Sequence, residues 1–139
     1  MAIKEYEAPD VLVRFDTKKC IHAAECVHGL PPVFDADRRP WIVLDAAGAD
    51  EIVAVIERCP SGALTYERRD GGAEERPSDV PVVSTVKDGP LYVRGHLQLT
   101  DHEGRPVDTG PRAALCRCGA SKNKPFCDNS HIEAGFEDG

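Results

Sequence analysis

No stretch of these 139 residues is long and apolar enough to be expected to cross a membrane as a helix. The longest apolar run is a handful of residues, far short of the roughly 20 that a span requires. The first ten residues carry Lys4, Glu5, Glu7 and Asp10 and lack the apolar core of a secretory leader. The six cysteines therefore read as reduced intracellular thiols rather than three disulfides, and a soluble, cytoplasmic chain is expected. Basic charge is also scarce: 17 Lys and Arg stand against 24 Asp and Glu, a net charge of −7. With no aromatics interleaved among basic residues, this balance argues against a nucleic-acid partner. No Ser-His-Asp set, phosphate loop or dinucleotide fingerprint occurs, so the chain is not expected to be an enzyme in its own right.

The size permits one domain, or two small ones each below the size at which a hydrophobic core alone is comfortable. Small domains need staples, and thiols supply them here. The densest stretch is Cys116 to His131, C-R-C-G-A-S-K-N-K-P-F-C-D-N-S-H, with three thiolates and an imidazole within sixteen residues. Gly119, Lys122, Asn123, Lys124 and Pro125 fill the turns between a C-x-C pair and a C-x3-H pair. By donor type alone this set holds tetrahedral zinc as readily as iron and sulfide, because both take deprotonated sulfur and neutral imidazole. The acid lies mainly in the first 80 residues, with ten Lys and Arg against sixteen Asp and Glu. Around the loop the balance reverses, with Arg112, Arg117, Lys122 and Lys124 against Asp128. This is either a solvated loop that offsets negative charge at the site or a docking patch for an acidic partner.

In chain order, alternation at Val11, Val13 and Phe15 predicts a strand leading to Cys20 and Cys26. Val33 and Phe34 follow a Gly-Leu-Pro-Pro turn, and Trp41 to Leu44 reads as a short strand. Asp50 and Glu51 favour the first turn of a helix whose apolar face holds Ile52, Val55, Ile56 and Cys59, with Pro60 as its stop. Leu64 to Tyr66 predicts another strand. The charged, Gly- and Pro-containing residues 68–80 read as a linker. Beyond it, Val82, Val83 and Val86 precede a turn at Asp88–Pro90. Leu91, Val93, Gly95, Leu97 and Leu99 predict one face of a long strand, and His96 and His102 read as solvent-side residues. Ala113 to Leu115 lead into Cys116, Asp128 and Ser130 suit a cap for the segment bearing His131, and Gly135-Phe136 is a candidate apolar lid.

The loop resembles the CDGSH iron-sulfur family at Cys116, Cys118, Ser121, Pro125, Cys127, Asp128, Ser130 and His131. Asn129 replaces the family's glycine, a tolerated exchange where the backbone needs a positive φ. The resemblance implies a 2Fe-2S cluster held by Cys116, Cys118, Cys127 and His131, with Ser121, Asp128 and Ser130 around it. On that reading the Ser121 hydroxyl is a candidate donor to cluster or ligand sulfur. The first half resembles small single-cluster bacterial ferredoxins at Cys20, Ala23, Cys26, Val33 to Asp35, Cys59-Pro60, Ala63 and Leu64. Ala23 stands where a further thiolate is expected, which leaves Cys20, Cys26 and Cys59 for a 3Fe-4S cluster, or for a 4Fe-4S cluster completed by His22 or solvent.

These readings together predict an α+β protein with a ferredoxin-like unit at residues 1–67, a linker at 68–80 and a β-rich CDGSH-type unit at 81–139. Two clusters in one chain imply electron transfer to or from a redox partner protein. The alternatives are cluster storage or delivery to an apo acceptor protein, redox or pH sensing through the imidazole-ligated cluster, and a structural zinc module. The CDGSH resemblance also implies a homodimer, unless the first unit occupies that surface.

Overall fold

The computed structural model describes residues 3–76 and 79–138. The fold is α+β, and the chain divides into two compact units, Met1–Cys59 with Ala63–Glu75 and Pro60–Gly62 with Arg76–Gly139. Among the described residues no helix is long and apolar enough to cross a membrane.

In the first unit, β1 (Ile3–Glu7), β2 (Val11–Asp16) and β3 (Leu64–Arg68) form an antiparallel sheet in the order β1-β2-β3. The register sets Tyr6 opposite Val13, Val13 opposite Tyr66 and Phe15 opposite Leu64. β2 is central because Val11, Leu12 and Val13 are all buried, so both faces of that strand are covered. Helix α1 (Glu25–Gly29) follows Cys20, and α2 (Ala49–Ile56) lays Ile52, Val53, Val55 and Ile56 into the core against Val11, Val13, Val33, Phe34 and Leu64. Asp50 and Glu51 occupy the first turn of α2, as expected from the helix dipole.

Three local expectations change in this unit. Trp41 to Leu44 is not a strand: Ile42 makes a single bridge to Phe34, Val43 N–H donates to Val33 O at 2.9 Å, and Leu44–Ala46 is a 3-10 turn. Helix α2 ends at Ile56, three residues before Cys59, because Arg58 N–H bonds Val55 O and Cys59 N–H bonds Ile56 O in tighter i to i−3 fashion. Residues 68–75 are not a free linker. Arg68 ends β3 and pairs with Asp50 at 2.8 Å and Asp70 at 2.6 Å, while its backbone N–H donates to Glu74 at 2.7 Å. Pro77 and Ser78, also read as linker, lie outside the described residues.

In the second unit, β4 (Val82–Thr85), β5 (Leu91–Arg94) and β8 (Arg112–Leu115) form an antiparallel sheet in the order β4-β5-β8. β6 (Leu99–Thr100) and β7 (Pro106–Val107) form a separate two-stranded ribbon. The single long strand expected from Leu91 to Thr100 is therefore two. Its alternation of more and less buried residues persists, but the ladder breaks at Gly95, whose φ of 116° leaves the strand region and whose N–H bonds Pro111 O. His96 and His102 are exposed, in agreement with the alternation.

Ile56 has no exposed surface and lies at the centre of the first core. Ile56→Ala is expected to cost about 2–5 kcal/mol. In denaturant titrations it should shift the transition of the first unit while leaving that of the second in place.

Candidate metal centres

The C-terminal site is built from the end of β8 outward. Cys127 N–H donates to Ala114 O at 2.8 Å, Cys116 N–H donates to Pro125 O at 2.8 Å, and Leu115 bridges to Phe126. The returning chain is thus zipped to β8 on both sides of Cys116, which brings Cys127 beside it. Between them the Ser121 hydroxyl donates to Phe126 O at 2.6 Å and accepts from Asn123 N–H at 3.0 Å. That use of its proton corrects the expectation that the hydroxyl serves sulfur.

Asp128 fastens the other end. Its carboxylate accepts Lys122 N–H at 2.9 Å and Ser130 N–H at 3.0 Å. Hydrogen bonding from the Ser130 hydroxyl first, and from these N–H groups after it, holds its pKa down at about 2. Helix α3 (Ser130–Ala134) starts there, so Ser130 is its first residue rather than its cap. Asn129 is the cap residue, at φ 70° and without a side-chain cap bond, as its substitution for glycine implied. Asp128 and α3 together aim His131 back at Cys127.

The ligand-type atoms fall into two pairs. Cys116 Sγ and Cys118 Sγ are 3.7 Å apart, and Cys127 Sγ and His131 Nδ1 are also 3.7 Å apart. A tetrahedral metal with a metal–sulfur bond of about 2.3 Å subtends an edge of about 3.8 Å between two sulfurs, so each pair has the span of one metal. Among the described residues, however, no group of three or more His, Cys, Asp and Glu side chains is arranged to hold a single metal ion. The donor set fits two metal positions better than one. All four residues line one cleft, joined by Gly89 and Pro90 from the turn between β4 and β5.

Backbone N–H groups surround the sulfurs. Gly119 donates to Cys116 Sγ at 3.3 Å, Ala120 to Cys118 Sγ at 3.3 Å and Asn129 to Cys127 Sγ at 3.4 Å. Burial opposes ionisation of Cys116, but the N–H groups of Ser121 and Gly119 and the neighbouring Cys118 outweigh it and lower its pKa. Cys127 is more deeply buried, and burial pushes its thiol up despite the Asn129 bond. The basic cluster expected around the loop is smaller than its sequence count: Arg112 is buried and Arg117 is bonded to backbone carbonyls, which leaves Lys122 and Lys124 exposed.

In the first unit Cys20 follows β2, Cys26 sits in α1 and Cys59 lies just past α2. These elements bring the three thiols close enough for each of Cys20 and Cys26 to feel charge on Cys59. Burial raises Cys20, and it raises Cys26 to about 11. The loop between them holds His22 at φ 56° and Ala24 at φ 67°, left-handed conformations that a β-carbon disfavours. His22 is exposed and turns its backbone N–H to Cys20. These backbone donors are what residue types alone do not reveal; only Gly119 and Asn129 signal a turn in the sequence.

The profile of a family described as "Divergent 4Fe-4S mono-cluster" matches residues 6–69, and that of "Iron-binding zinc finger CDGSH type" matches residues 88–132. CDGSH iron-sulfur domain-containing protein 1 of Mus musculus is 31% identical over 96 residues, 68% of this chain and 82% of that protein. The chain belongs to the CDGSH iron-sulfur family. The chain is also 48% identical over 46 residues to the CDGSH iron-sulfur domain-containing protein 2 homolog of Drosophila ananassae, covering 29% of this chain and 34% of that one. The chain is 39% identical over 64 residues to "Uncharacterized protein YjdI" of Escherichia coli K12, 46% of this chain and 84% of that protein. Both matched families are iron-sulfur families, and this CDGSH protein is an iron-sulfur protein.

Thiol reactivity tests the electrostatics directly. At pH 7 a Cys26 pKa near 11 leaves about a hundredfold less thiolate than the ordinary value of 9.0 does. Iodoacetamide should therefore modify Cys116 well before Cys26 in protein stripped of iron and sulfide, as read by peptide mass spectrometry. Asn129→Gly should retain metal, whereas Asn129→Val, strained at φ 70°, should cost about 1–2 kcal/mol and lower iron content.

Proposed function

We propose that the CDGSH unit holds a 2Fe-2S cluster on Cys116, Cys118, Cys127 and His131, and that the first unit holds a second cluster on Cys20, Cys26 and Cys59. The observation that carries the 2Fe-2S reading is the pairing of donors in the CDGSH unit, two at 3.7 Å and two at 3.7 Å, without convergence on one ion; the cluster of the first unit is supported by the family match. It weighs against a mononuclear zinc module. When bound, such clusters supply reversible one-electron exchange. Three thiolates suit 3Fe-4S, while the description of the matched family favours four irons with His22 or solvent at the remaining position.

The protein's own work is electron transfer with a redox partner protein. Its residues tune the site in one direction. Backbone N–H donors at Cys116, Cys118 and Cys127 favour added negative charge, and a neutral imidazole replaces a fourth thiolate. Both raise the potential. A second reading, transfer of the cluster to an apo acceptor or sensing of pH, draws support from the partial exposure of His131 on a five-residue helix, where acid can compete for its nitrogen. A homodimer completed through the CDGSH unit is compatible with either.

Iron and acid-labile sulfide per chain after anaerobic purification test the assignment. About five irons and six sulfides are expected for 2Fe-2S with 3Fe-4S, and about six of each with 4Fe-4S. Zinc without sulfide would overturn the reading. His131→Cys should lower the potential of the C-terminal cluster by on the order of 0.2 V and remove its acid lability, as followed by redox titration and by absorbance against pH. Reversible reduction without cluster loss favours the carrier; transfer of intact cluster to an apo acceptor favours delivery.

A further inference from the structure

Arg117 stands between two ligand cysteines, lines their cleft and reaches away from them to three acceptors. Its Nε donates to Gly89 O at 2.7 Å, and its Nη2 donates to Val86 O at 2.6 Å and to Asp138 Oδ2 at 2.7 Å. Its Cζ lies 5.3 Å from the centre of the Phe136 ring, within cation–π range. Asp138 is held a second time, by reciprocal bonds with Asp88: each backbone N–H donates to the other's carboxylate at 3.0 Å. Phe136 N–H in turn donates to His131 O at 3.0 Å.

These contacts close a circuit. It runs from the Cys116–Cys118 pair through Arg117 to Phe136 and Asp138, and from Phe136 back to His131. A helix of five residues does not hold itself in water, so the placement of α3 depends on what grips its far end. The Asp138 carboxylate and Arg117 guanidinium are only 23% and 20% exposed, which sets this pair apart from the open surface pairs that contribute little. Its hydrogen bond is charge-assisted and directional.

We propose that Phe136–Asp138 is a clasp, with Asp138 the positioning residue that fixes the His131 helix against the Cys116–Cys118 pair and so sets how long the C-terminal cluster is retained. The proposal rests on the reading of those residues as cluster ligands. Asp138 touches no ligand; it acts through Arg117. The apolar lid expected at Gly135-Phe136 becomes, in this arrangement, a ring seated on a cation. Because Arg117 keeps its two carbonyl acceptors when Asp138 is changed, the β4-β5-β8 sheet does not depend on the clasp.

The test compares wild type, Asp138→Asn and Asp138→Glu in the full chain as purified, with iron and sulfide counted in each. Two quantities are read: amide hydrogen exchange across residues 130–136, and the rate at which a chelator removes the visible circular dichroism that a Cys116→Ser variant lacks. Asp138→Asn should speed both about tenfold while exchange in β5 and β8 is unchanged, and Asp138→Glu should recover most of the difference. The clasp is overturned if Asp138→Asn stays within twofold of wild type in both, or if exchange rises equally throughout β5 and β8. Wild-type protein without iron and sulfide sinks the cluster reading instead, and the exchange data then decide the clasp alone.

Discussion

In the CDGSH unit Cys116 Sγ stands 3.7 Å from Cys118 Sγ, and Cys127 Sγ stands 3.7 Å from His131 Nδ1; the local structure is arranged around these two pairs. Two thiolates at the Cys116–Cys118 distance repel strongly where water is scarce. The chain answers with backbone dipoles: the N–H groups of Gly119, Ala120 and Asn129 point at the sulfurs of Cys116, Cys118 and Cys127. Turning those groups inward demands backbone shapes that regular strands and helices do not offer. Gly119 at φ 80° and Asn129 at φ 70° supply two of them. Side chains then hold the turns from outside, Ser121 through Phe126 O and Asp128 through Lys122 and Ser130.

The two units are stabilised differently. In the first, a core of Val11, Val13, Val33, Phe34, Ile52, Ile56 and Leu64 surrounds a helix and a sheet, and the thiols sit at the ends of those elements. Burial there raises the Cys20 and Cys26 thiols, so ionising them as ligands works against the local environment unless metal compensates. In the second, buried apolar side chains are few, chiefly Val93, Ala113 and Ala114. Hydrogen bonds and the donor loop carry more of the order, as expected of a small metal-binding unit. Of the left-handed non-glycine residues, His22, Ala24 and Asn129 fall inside the two donor loops, where strained backbone usually accompanies function, while Asp88 lies in the turn between β4 and β5.

Much of this was legible in residue order. Alternation at Val11, Val13 and Phe15 marked β2, and the spacing of Ile52, Val55 and Ile56 marked α2, because each pattern repeats with the period of its element. The reading failed where tertiary partners decide. Leu91 to Thr100 alternates throughout, yet Gly95 lets the chain change ladder partners, and alternation does not reveal which strand lies alongside. Ile42 pairs once with Phe34 and then turns into a 3-10 segment. β1 and α1 carry no apolar period that stands out: β1 is largely exposed, and α1 buries no residue fully.

By itself the sequence determined the chemistry of the loop, since donor types and their spacing in C-x-C and C-x3-H are local properties that folding does not alter. It also determined the need for a positive φ at residue 129, because only a few residue types accept it. Tertiary structure alone decided that the Ser121 proton goes to a carbonyl rather than to sulfur, and that Arg117 is a strut rather than part of an exposed patch. Those outcomes depend on groups 5 to 31 residues away in the chain. Composition and spacing name such groups, but only the closed fold brings them within hydrogen-bonding distance.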